Sequence, residues 1–80
     1  MHARDNNEIL EALRIRHILQ AARKKKHISQ EKMCELVGVS KATYVRYEND
    51  FKSACGYIQD DICKILDLPN IKIFEEVDLT

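Results

Sequence analysis

A glycine set between two short amphipathic runs constrains this chain more than any other feature. Residues 29–49 read SQEKMCELVGVSKATYVRYEN. Ser29 is a favourable helix N-cap, although Lys32 stands where a capping box would have an acid. Met33, Leu36 and Val37 then repeat at i, i+3 and i+4, which predicts one apolar stripe of about two turns. Gly38 follows at once, and a glycine can take the left-handed conformation that stops a helix and re-aims the chain. Val39 plugs the corner and Ser40 caps a second helix. In that helix Tyr44 and Tyr47 fall on one face, whereas Lys41, Ala42, Thr43, Val45 and Arg46 fall largely on others.

Helix, glycine turn and capped helix make a helix-turn-helix. The residues also carry a family likeness. Ser29-Gln30-Glu31, Met33-Cys34, Leu36-Val37-Gly38-Val39-Ser40, Thr43-Tyr44 and Arg46-Tyr47-Glu48-Asn49 resemble the Cro/phage-repressor type of helix-turn-helix domain. With Arg23 upstream and the run 62–68 downstream, the resemblance covers roughly residues 15–68. It implies a lambda-repressor-like fold: all-α, compact, four to five helices, here with an extended first helix. The loop after Asn49 departs from the family pattern, lacking its glycine and proline and being about one residue longer.

Composition agrees with a small helical domain. Eighty residues allow one domain, 1–80, and the chain has only two glycines, one proline and no tryptophan. No apolar run approaches the roughly 18 residues of a membrane span, and the first eight residues have no signal-peptide core, so the expected location is cytoplasmic. Cys34, Cys55 and Cys63 are an odd set without CxxC spacing. They read as small buried thiols rather than a metal site or switch, so no metal or other cofactor is expected.

The net charge is zero, but its distribution is uneven. Between Arg14 and Lys52 lie ten Lys/Arg against four acids, a balance of +6; the rest of the chain carries −6. A basic middle with acidic ends gives a local field that attracts phosphates. No Ser/His/Asp set, carboxylate pair, P-loop or metal spacing suggests an enzyme.

Taken in order, residues 1–5 are predicted to fray. A helix of about twenty residues follows, with 15–22 facing the core. Ile9, Leu10 and Leu13 either fold back over the domain or offer a partner surface. The cations from Arg23 to Lys26 suit a helix C-terminus. Phe51 is expected to cap the core from a loop. A further helix of about residues 55–67, with Tyr57 on its apolar face and its true start near Tyr57, ends at Pro69. The tail 69–80 fits a short fifth helix better than a strand, and in either form is a candidate dimerisation element.

The resemblance also implies roles. It places base contacts on Lys41, Ala42 and Arg46, phosphate contacts on Asn49 and Gln30, and a structural ion pair between Arg23 and Glu48. Independently, Lys41 and Arg46 have the chemistry to read guanine, and Ala42, Thr43 and Val45 can offer methyl contacts to thymine. One such domain covers four or five base pairs, so the expected molecule is a homodimeric repressor on double-stranded DNA. Phage repressors, restriction–modification controllers and some antitoxins share this plan. The other reading is an antitoxin or interaction module that binds a protein partner, such as a toxin, through the long first helix or the acidic tail.

Overall fold

The computed structural model describes residues 6–69. The expectations of a frayed start at 1–5 and of a helical or dimerising tail at 70–80 lie outside the described residues. Within them the chain forms four α-helices and no strand: α1 (Asn6–Lys25), α2 (Gln30–Val37), α3 (Lys41–Asn49) and α4 (Gly56–Ile65), with one 3₁₀ turn (Phe51–Ser53) between the last two. The fold class is the all-α one read from the sequence.

The core draws side chains from every element. Ile15 and Leu19 of α1, Met33 of α2, Tyr44 of α3, Phe51 of the 3₁₀ turn, and Ile58, Ile62, Cys63 and Leu66 in and after α4 are all buried. Each large apolar side chain removed from water contributes about 1.5–3 kcal/mol. Phe51 caps the core as expected, and Gln59 Nε2 pins its loop by donating to the carbonyls of Phe51 and Ala54 at 3.2 and 3.0 Å.

Two caps and one glycine set the angle between α2 and α3. Ser29 Oγ accepts from the Lys32 amide at 3.0 Å, and Ser40 Oγ from the Thr43 amide at 3.1 Å. Gly38 has φ +86°, and its amide and that of Val39 both donate to the Cys34 carbonyl, at 2.9 and 3.0 Å. A Cβ added at Gly38 would meet nothing within 4 Å. Gly38→Ala therefore isolates backbone strain, and is expected to cost about 1–2 kcal/mol. Urea unfolding reads this directly, and an unchanged midpoint would contradict it.

Several sequence expectations need correction. Leu36 is 48% exposed, although it was placed in the apolar stripe of α2. The buried face is instead Met33, Cys34 and Val37 with Gln30; at 100° per residue Leu36 lies about 110° from the centre of that sector. Tyr57 is 69% exposed, and α4 begins one residue earlier, at Gly56. Cys55 is exposed, against the expectation of three buried thiols, whereas Cys34 is half-buried against the core and burial, aided by the charge of Asp60, pushes the Cys63 thiol up to about 11. Ile9, Leu10 and Leu13 do not fold back: α1 is one continuous helix, and they lie on its exposed side at 45%, 56% and 39%.

Candidate nucleic-acid interface

The outer face of α3 is a surface with nothing of the described fold packed over it. At helical spacing Ala42, Arg46 and Asn49 form one stripe, and all three are exposed. Lys41 stands exposed at the amino end of the helix. Its Nζ lies 3.3 Å from Glu31 Oε1, an ion pair between well-exposed side chains that holds little free energy and yields readily to a stronger partner. The Arg46 guanidinium lies 5.7 Å from the Tyr47 ring centroid, within cation–π range, which limits its swing without burying it.

Thr43 and Val45 flank this stripe and are half-buried, less outward than the sequence reading placed them. Thr43 Oγ1 also accepts from Ser40 Oγ at 2.8 Å, so its hydroxyl is engaged in the cap. The opposite face of α3 is closed: Tyr44 is buried and Tyr47 packs partly against the core.

Glu48 is the polar centre beneath the interface. It is 1% exposed and receives three side chains from two other helices. Arg23 Nε donates to Oε2 at 3.1 Å and Nη2 approaches Oε1 at 3.5 Å, while Gln20 and Gln30 donate to Oε1 at 3.2 and 3.1 Å. The third Arg23 nitrogen, Nη1, donates to the Ile28 carbonyl at 3.0 Å, tying the α1–α2 link to the same cluster. Burial alone would raise the Glu48 pKa. The nearby Tyr44 hydroxyl, the hydrogen bonds from Gln30 and Arg23, and the guanidinium charge outweigh it and hold the carboxyl below its ordinary range. The Tyr44 phenol is pushed far up, by burial first and then by Glu48. Its hydroxyl lies near enough to feel the carboxylate but makes no hydrogen bond of normal geometry.

Gln30 thus has two faces: its amide is anchored on Glu48 while its backbone opens α2 at the edge of the α3 surface. Two further participants escaped the sequence reading. Gln20 joins the Glu48 cluster, and Arg16 Nη1 donates to Asn49 Oδ1 at 3.5 Å. Arg16, Gln20 and Arg23 recur at i, i+4 and i+7, so a polar stripe beside the apolar one was the available signal.

Among the described residues no group of three or more His, Cys, Asp or Glu side chains could hold a metal ion, and no helix is long and apolar enough to cross a membrane. No curated protein and no solved structure matches the chain. Residues 19–54 do match a family model, described as Helix-turn-helix. The match takes in the end of α1, α2, the glycine turn, α3 and the 3₁₀ turn, which together make the surface described above. Its family is one of DNA-binding regulators rather than enzymes. Residues 19–54 are thus similar to the Cro/repressor type of helix-turn-helix domain, which supports a DNA-binding transcription regulator in general.

Proposed function

We propose that the protein is a repressor that binds a two-fold-symmetric operator as a homodimer, with α3 in the major groove. The observation that carries this reading is the outer face of α3: Lys41, Ala42, Arg46 and Asn49 lie exposed on a helix whose other side is locked into the core. In this reading Lys41 and Arg46 meet guanine O6 and N7. Ala42, with the partly exposed methyls of Thr43 and Val45, meets thymine. Asn49 and Gln30 hold phosphates, while Arg23 and Glu48 keep α1 and α3 in register. The described residues measure 32 × 29 × 21 Å. Two copies side by side therefore suit recognition helices one DNA turn apart, roughly 34 Å.

Selection of bound duplexes from a random pool tests the symmetry. The expected result is a two-fold-symmetric consensus whose half-site centres lie about one helical turn apart. A single asymmetric half-site, with monomer-sized light scattering at high micromolar concentration, would contradict the homodimer.

One observation favours a second reading, an antitoxin or other interaction module: the exposed Ile9, Leu10 and Leu13 on the first half of α1. An apolar patch on the exposed side of a helix suits a protein partner. Co-purification of a stoichiometric partner from the native host, lost in a Leu10→Ser, Leu13→Ser variant, supports that reading, which is compatible with DNA binding.

A further inference from the structure

We propose that Arg16, on α1, is a further DNA-binding residue that holds a backbone phosphate together with Asn49 at the edge of the half-site. The proposal rests on the DNA-binding reading above and adds to it a contact from outside the helix-turn-helix.

Charge sets Arg16 apart. Arg23, Lys26, Lys41 and Lys52 each have a carboxylate, from Glu48, Asp67, Glu31 and Glu11 in turn. Arg16 has none among the described residues, although it is half-buried. Its Nε is buried without a hydrogen-bond partner, and its one hydrogen bond is the long contact from Nη1 to the neutral Asn49 amide. A guanidinium stripped of part of its water and left without a counter-charge is costly, and an anion relieves that cost.

Placement supplies the anion. Arg16 reaches the last residue of α3, so its guanidinium borders the surface that carries Ala42, Arg46 and Asn49. The Asn49 Oδ1 is engaged by Arg16 and the side chain is exposed, so its amide nitrogen can donate to the same ligand as the guanidinium. Two planar donor groups side by side suit the oxygens of a phosphodiester. A backbone phosphate rather than a base edge is the natural occupant, because Arg16 meets α3 at its last residue, Asn49, away from the amino-terminal half that reads bases.

The test measures affinity for the selected duplex across a salt series, for the wild type, Arg16→Gln, Arg16→Lys and Lys64→Gln. Lys64 is an exposed cation on α4 and controls for net charge. Losing one phosphate contact per protomer lowers the slope of log K against log salt by about 1 per protomer and weakens all duplexes equally. Arg16→Gln is expected to show that loss with an unchanged consensus and a melting temperature close to wild type. Arg16→Lys is expected to keep the slope, and Lys64→Gln to leave it alone. An unchanged slope in Arg16→Gln, or an equal fall in Lys64→Gln, overturns the assignment while leaving DNA binding intact. A wild-type protein that retains no duplex at low salt overturns both.

Discussion

Replacing Arg23 with alanine is expected to lower the unfolding free energy at neutral pH by about 3–5 kcal/mol, because it strands a buried carboxylate. The two side chains are 11% and 1% exposed, so solvent screens the pair little. Arg23 also uses all three of its nitrogens, two on Glu48 and one on the Ile28 carbonyl, which a lysine's single ammonium cannot reproduce. A chain of this size has about 4–12 kcal/mol of stability in all, so the variant stands near the edge of folding.

The pH dependence carries a distinctive sign. In the wild type the Glu48 pKa lies below its ordinary value. Its contribution is therefore complete above the unfolded-state value of about 4.3 and is lost as pH falls through the folded value. Without Arg23 the folded-state pKa rises, because burial remains while the hydrogen bond and charge of the guanidinium that opposed it are gone. Acid then neutralises the stranded carboxylate at a higher pH than in the wild type, and the gap between wild type and Arg23→Ala should narrow as pH falls. Urea unfolding at several pH values reads both effects, and a penalty that stays constant would show that the pair is not the source.

The helix-turn-helix was legible because its signals are local. Ser29, Gly38 and Ser40 each act within a residue or two of where they stand, and the structure uses them as caps and turn. Helix α1 was legible from its period, and Phe51 from being an aromatic in a loop beside a small core. What sequence periodicity could not settle depends on how far the core extends. Leu36 and Tyr57 are apolar residues at helical spacing, yet each sits past the rim of what the neighbouring helices cover. The same limit explains Ile9, Leu10 and Leu13: they keep the apolar pattern of α1 but lie on a side of it that the core does not cover.

At the interface, the exposed stripe Ala42, Arg46 and Asn49 follows from helical spacing alone. The partial burial of Thr43 and Val45 does not, because it depends on how closely α2 and the core approach α3. Arg16 and Gln20 were hidden for a similar reason. They act across the gap from α1 to α3, between residues 33 and 28 positions apart in the chain. No motif inside residues 29–49 could report that, although the polar stripe on α1 was there to be read.

The central claim is that the outer face of α3 reads base sequence, and the double variant Lys41→Ala, Arg46→Ala tests it most directly. Both side chains lie outside the core, so the fold should survive; giving up the surface pair of Lys41 with Glu31 costs at most about 1 kcal/mol. Each good contact to a base is worth about 1–3 kcal/mol of discrimination. Losing two per half-site should therefore reduce preference for the selected operator over a scrambled duplex by about thirtyfold or more. The measurement is the ratio of the two affinities at one salt concentration, for wild type and variant, with helicity and melting temperature alongside. A high ratio in the wild type that collapses in a folded variant is the predicted result. A ratio that the variant retains would place sequence reading elsewhere on the molecule and contradict the account.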